Sequence, residues 1–198
     1  MLYKPIHIIP MEKKQSVLQF AMTYGAILGI ILVVISILMY VMNIVPDKAG
    51  KAVLLSLFNL LVVVIFVIIS MRSYRDKVMN GFIPYWNAFT VGLMVVVFAA
   101  VITSFYALIF NTLIDPGYTE RVYEALKNNM YDMYTNMGLT ESQIDRAMSR
   151  IESQQANYTP LNAFYTGILG SAFMGSVVSL IIAAFVKKNP TPFENAGS

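Results

Sequence analysis

Four long uncharged runs alternate with polar segments along this chain, and their lengths decide the fold class. From residue 15 to residue 46 no side chain ionises, and 17–42 is almost wholly apolar. At about 1.5 Å per residue, about 20 residues cross a hydrocarbon core of roughly 30 Å. The first run therefore predicts a membrane span at about 17–43. A second span is expected at 52–71, closed by Arg72, Arg75 and Lys77, with Pro46 and Gly50 marking a short turn between the two. The third uncharged run, 78–114, is longer than one crossing needs. Asn80-Gly81 and Pro84 should break its start, so a span is expected over 84–114, with Tyr85 and Trp86 at headgroup level. The fourth is expected at 160–186, ending at Lys187 and Lys188.

The sizeable polar segment, 115–159, has a different period. Val122, Leu126, Met130, Met133 and Met137 recur at three- and four-residue steps, which is one stripe of an amphipathic helix. Asp115-Pro116 reads as an N-cap followed by proline at the first helical position, and Gly138 as the stop. Thr140 with Gln143 reads as a capping box, after which Ile144, Met148 and Ile151 give a second stripe. The segment is expected to be a helical hairpin. The predicted fold is all-α: one membrane domain over 1–188, a bundle of four transmembrane helices with an amphipathic hairpin between the third and fourth, and a flexible tail at 189–198.

Composition agrees with lipid as the solvent. Of 198 residues 57% are hydrophobic and only 13% charged, against about a quarter charged in an ordinary soluble domain. The chain has no cysteine, which excludes disulfides, thiolate chemistry and cysteine-ligated metals. Its one histidine, His7, lies ahead of the first span. The net charge of +3 is small and dispersed, which reads as membrane orientation rather than a nucleic-acid footprint.

Orientation follows the bias of Lys and Arg in short loops. With the N-terminus inside, the cytoplasmic pieces hold Lys4, Lys13, Lys14, Arg72, Arg75, Lys77, Lys187 and Lys188 against Glu12, Asp76 and Glu194. The far side holds six basic residues against eight acids, and four of those six lie in the long loop, where they count for less. Both termini are expected in the cytoplasm. The Lys13–Lys14 flank invites a signal-peptide reading, but the apolar core is too long and no small-residue cleavage pattern follows, so an uncleaved anchor is expected.

Candidate chemistry is sparse. No Asp, Glu, Lys, Arg or His lies inside an expected span, which argues against a proton-coupled pump, an aspartyl intramembrane protease and a voltage sensor. Gly25 and Gly29, with Ala21 a turn earlier, and the row Gly167, Ser171, Gly175 and Ser179 would let helix backbones approach closely. Packing within the bundle is the expectation, and a homodimer or partner face the sharper alternative. Asn59 and Thr103–Ser104, deep in the second and third spans, are expected to bond across helices, with a substrate-lining role the lesser alternative and nothing converging on them. Glu120, Glu124, Asp132, Asp145 and Glu152 sit at helical spacing among Arg121, Lys127, Arg146 and Arg150, as on a solvated face. There is no P-loop, GxSxG, HExxH or dinucleotide fingerprint. No catalytic, cofactor-binding or metal residue is expected, and no nucleic-acid partner.

The start MEKKQSVLQFAMTYG, the segment GFIPYWNAFTVG ahead of the third span, and the turn Asp115-Pro116-Gly117-Tyr118-Thr119-Glu120 occur in that order before a long helical loop and a last span. In this the chain resembles, over about 11–188, a bacterial four-helix inner-membrane family of unknown function (domain of unknown function 4199). The resemblance implies a bacterial inner-membrane setting and carries over no catalytic residues. It also makes Met11-Glu12-Lys13-Lys14 look like a natural start. The function expected is that of a non-enzymatic accessory or structural subunit of a membrane assembly, with a homo-oligomer or membrane-protein partner contacted through Val122, Leu126, Met130, Met133 and Met137. The alternative is an oligomeric small carrier, channel or lipid translocator.

Overall fold

The computed structural model describes residues 16–44, 49–156 and 159–189. Residues 1–15, with the expected natural start, and 190–198, most of the expected tail, lie outside these. Among the described residues six helices follow one another: α1 Val17–Val41, α2 Ala49–Lys77, α3 Tyr85–Ile109, α4 Tyr118–Asn136, α5 Glu141–Ala156 and α6 Pro160–Val186. A π-helical turn, Phe110–Ile114, prolongs α3. Among the described residues four helices are long and apolar enough to cross a membrane: α1, α2 from Gly50, α3 with its π turn, and α6. The fold is an all-α membrane bundle with an amphipathic hairpin, α4–α5, between the third and fourth spans.

Local chemistry sets the ends. The Ser16 hydroxyl accepts from Gln19 N and starts α1, and Thr159 does the same for α6 through Asn162 N, with Pro160 in the first turn. Between α2 and α3, Asn80 and Gly81 both take positive φ (52° and 88°), reversing the chain so that Pro84 can open α3. The loop is then fastened to the end of α6: Ile83 and Lys188 exchange backbone hydrogen bonds of 2.9 and 3.0 Å. The short turn expected around Pro46 and Gly50 is only partly described, and Gly50 itself lies in the first turn of α2.

The bundle is built around α3. On one side a methyl group on Gly25 would stand 2.5 Å from Phe98 Cβ and 2.8 Å from the Val95 carbonyl oxygen, and one on Gly29 2.9 Å from Ile102 Cβ. The two contacts advance together, so α1 runs parallel to α3. On the other side α6 runs antiparallel, and its four-residue steps meet four-residue steps on α3. A methyl on Gly167 would lie 3.0 Å from Ser104 Oγ, and one on Gly175 2.7 Å from Val96 Cγ1, while Ser179 Oγ lies 2.7 Å from where a Gly92 methyl would be. The same register puts Ser171 opposite Ala100. Without a hydrophobic drive between helices in lipid, this closeness is what holds them.

The second helix behaves differently at its two ends. Val67, Ser70, Met71 and Tyr74 are buried in the half near α6's C-terminus, where the Met71 methyl and Val67 fill the space left by Gly92. Phe20 stacks on Tyr24 there, Tyr74 meets Phe20 edge-on, and Tyr24 and Ser73 hydroxyls bond at 2.6 Å. In the other half Leu54, Leu57, Phe58 and Leu61 are all exposed, and α2 hardly touches α1.

The hairpin closes on itself in part. Ile144 and Met148 of α5 are buried, and Lys127 pairs with Glu152. Gly138, at φ 74°, ends α4 as its position implied. Of the capping box at Thr140 one half forms, with Gln143 Oε1 accepting from Thr140 N at 3.0 Å, while the Thr140 hydroxyl turns to the same oxygen.

Candidate functional site

Where α2 leaves the bundle, a cleft of about 450 Å³ opens between α1, α2 and α3. Its floor is apolar, from Leu32, Leu60 and Val63. Above the floor, neutral polar groups converge from three helices: Ser36 of α1, Asn59 of α2, and Thr103 and Tyr106 of α3. Asn59 lies ten residues into α2, roughly 15 Å along its axis, which is about the middle of a bilayer core. The sequence expectation for these residues is corrected on both points. Asn59 Nδ2 donates to Leu55 O within its own helix at 3.0 Å, and Thr103 Oγ1 donates to Ala100 O at 3.2 Å. Among the described residues neither bonds across helices, yet both share one cavity. Close approaches to α3 fall at Gly29 of α1 and Gly92 of α3 itself, and past them α3 presents Thr103 and Tyr106 to the cleft.

The roof comes from the π turn and α4. Widening the helix at Phe110–Ile114 buries Phe110 and brings Asn111 to the cleft, where its Nδ2 donates to Ala107 O at 2.8 Å and its Oδ1 accepts from the Thr119 hydroxyl at 2.6 Å. Single π turns of this kind recur at functional sites. Phe110 stands edge-on to both Tyr40 and Tyr118, with centroids 4.9 and 5.4 Å away, and tilted to Tyr106 at 5.7 Å. The four rings thus close the outer end of the cleft with apolar faces and phenolic edges.

At the rim sits the ion pair of Asp115 and Arg121, with the Tyr40 hydroxyl beside it. Asp115 Oδ2 accepts from the Tyr40 hydroxyl at 3.1 Å and from Arg121 Nη2 at 2.5 Å. Asp115 is therefore not the side-chain cap of α4, which begins three residues later with Gly117 in the capping position. The aspartate faces back to α1 because the turn at Pro116–Gly117 leaves it level with the end of that helix, and Arg121, one turn into α4, reaches it. The guanidinium holds the Asp115 carboxyl below its ordinary range, with the Tyr40 hydroxyl adding to the effect, and the same pairing raises Arg121. Burial pushes the Tyr118 phenol up.

Further cavities adjoin, among them one of about 380 Å³ at the rim between Tyr40, Asp115 and Arg121. Another, of about 550 Å³, shares Ser36, Asn59 and Tyr118 and runs under α4 to Leu126. A groove of about 430 Å³ on the outer face of α1 and α3, around Ile30, Val34 and Phe105, is lined almost wholly by apolar atoms.

The residues singled out in the sequence divide between these regions. Gly25, Gly29, Gly167, Gly175 and Ser179 lie at helix crossings, and Ser171 is half-buried on the same row. Ser179 Oγ is fully buried and has no hydrogen-bond partner among the described residues. Of the α4 stripe, Leu126 and Val122 face the span ends, Met130 is half-buried, and Met133 and Met137 are exposed. Among the described residues no three of His, Cys, Asp and Glu are grouped to hold a metal. Gly92 and the quartet of rings were not singled out. Part of the quartet was legible, since Thr103, Tyr106 and Phe110 follow helical spacing along the third span.

A bundle with four spans, an intramembrane cleft of neutral polar groups and an extramembrane hairpin defines a multi-pass α-helical membrane protein. The chain belongs to the family described as protein of unknown function (DUF4199), which matches residues 23–188. No curated protein and no solved structure matches it.

Proposed function

We propose that the protein is a non-enzymatic accessory subunit of a bacterial membrane assembly, set in the inner membrane with both termini in the cytoplasm and the hairpin outside, and that it works by binding at the cleft. The observation that carries this reading is the composition of the cleft. Amides, hydroxyls and aromatic rings converge there, whereas the ionisable pair at the rim is engaged with itself. Acid–base and nucleophilic catalysis at neutral pH ask for a group that titrates near 7 or is activated by one that does. Amides and hydroxyls instead orient a ligand.

A second reading, a carrier or translocator working as an oligomer, draws on the depth of the same cleft. It reaches about half-way across, and the other half is filled by Phe20, Val67, Met71 and Tyr74. One bundle alone therefore offers half a path.

Two measurements test the proposal. After gentle detergent extraction from its own host, the tagged protein should separate as a defined hetero-complex. Recovery as a monomer or a homo-oligomer would overturn the subunit reading, and the homo-oligomer would advance the second. In a deletion strain, Asn59→Leu should fail to restore the wild-type phenotype at normal abundance, whereas Glu120→Gln and Glu124→Gln should restore it. Full complementation by Asn59→Leu would remove the cleft from the function.

A further inference from the structure

Resting on the reading of the cleft as the working element, we propose that it takes the uncharged, hydroxyl-rich headgroup of a lipid, a sugar or glycerol unit, whose acyl chains leave sideways between α1 and α2. The lining, charge, depth and size of the cleft lead there. Its polar lining is made of groups that both donate and accept without formal charge: the amides of Asn59 and Asn111 and the hydroxyls of Ser36, Thr103 and Tyr106. Hydroxyl groups have the same dual character. The flat faces of Tyr106, Phe110 and Tyr118 offer apolar surface for the C–H side of a ring or chain.

The charge balance points the same way. An anionic headgroup drawn down to Asn59 would lose its hydration and find no cation at that depth, which is a heavy penalty. The one guanidinium at the rim, Arg121, is already neutralised by Asp115. Depth then separates a headgroup from a tail. Asn59 and Thr103 lie near mid-bilayer, where an acyl chain carries no polar atom, so the polar part of the ligand has to descend to them. The apolar wall of the cleft is its floor of Leu32, Leu60 and Val63, contributed by α1 and α2, two helices that hardly touch each other. A free sugar makes no use of that wall, and lipid tails do. The volume, about 450 Å³, falls in the range of roughly 300–1,000 Å³ typical of small-molecule sites.

The test is lipid retention by the full chain in nanodiscs holding equal parts of monoglucosyl diacylglycerol, phosphatidylethanolamine and phosphatidylglycerol, with bound lipid counted by native mass spectrometry on release. The glucolipid should be retained preferentially, by about tenfold over phosphatidylglycerol. Asn59→Leu should lose that preference. Tyr106→Phe, which removes one hydroxyl and keeps the shape, should weaken retention by about three- to tenfold, as loss of one ligand hydrogen bond does. Leu57→Ala, on the exposed face of α2, should behave as wild type. Equal retention of the three lipids, unchanged preference in both cleft variants, displacement by millimolar free glucose, or a partner helix cross-linked in the cleft would each overturn the proposal. If no glucolipid preference appears while Asn59→Leu still fails in cells, this inference falls and the binding role of the cleft stands. If Asn59→Leu complements fully, the binding role falls first.

Discussion

At the scale of single residues, what matters in this bundle is how small a side chain is, and on which turn. Gly175 and Gly170 show the contrast. They sit five residues apart on α6, yet a methyl on Gly175 would stand 2.7 Å from Val96 Cγ1 while one on Gly170 would meet nothing within 4 Å. Gly175→Leu is therefore expected to lower thermal stability in detergent by about 1–3 kcal/mol, the usual range for overpacking. Gly170→Leu should leave it near wild type, as a leucine facing lipid does. Equal melting of the two variants, followed by tryptophan-independent dye binding, would show that α6 does not approach α3 through this row. The four-residue spacing marked the row in the sequence. It could not reveal that Gly92 matters as much, because a lone glycine in a span has no pattern around it.

At the scale of elements, the junction between the hairpin and the spans is electrostatic at the rim and apolar beneath it. Asp115 accepts from Arg121 and from Tyr40, and this pulls its carboxyl below the ordinary value of 3.8. The sign follows directly. A group whose folded value is depressed contributes stability above its ordinary value and loses that contribution as pH falls through the depressed one. The rim contact should thus be whole at neutral pH and at pH 5, and should loosen only below about pH 4. Hydrogen exchange at the start of α4 is the measurement. Exchange there should be flat from pH 7 to 5 after correction for the intrinsic rate, rise below 4, and be high throughout in Asp115→Asn. A rise between pH 7 and 5 would mean that another group governs the junction. Proline after aspartate suggested a helix cap in the sequence. The carboxylate instead takes the Gly117 backbone together with Arg121 of α4 and Tyr40 of α1, and α4 begins beyond it.

At the scale of the whole molecule, the spans and the charges at their ends make a topology that can be read out directly. The chain has no cysteine of its own, so single introduced cysteines report without background. Lys77→Cys, exposed at the end of α2, should be shielded from a membrane-impermeant thiol reagent in intact spheroplasts and labelled after permeabilisation. Asn128→Cys, exposed on α4, should be labelled from outside. The reverse pattern would overturn the orientation drawn from Lys and Arg, and would put the ring-closed end of the cleft on the cytoplasmic side.

The sequence by itself determined the spans and the hairpin, because length, apolarity and helical period are local properties that each segment carries alone. Val17–Val41 and Pro160–Val186 lie close to where those patterns put them. It also set the absence of ionisable groups along the middle of the spans, and hence the neutral character of whatever lies between them. Only the tertiary structure decided that α2 would pack at one end and diverge at the other. That outcome depends on three helices meeting at Gly92, with Met71, Val67 and Ser179 sharing a space no segment defines on its own. Asn59 and Thr103 look isolated along the chain for the same reason. Whether two polar groups on different helices face each other depends on crossing angle and rotation, which are set by packing, and here packing leaves a cleft between them.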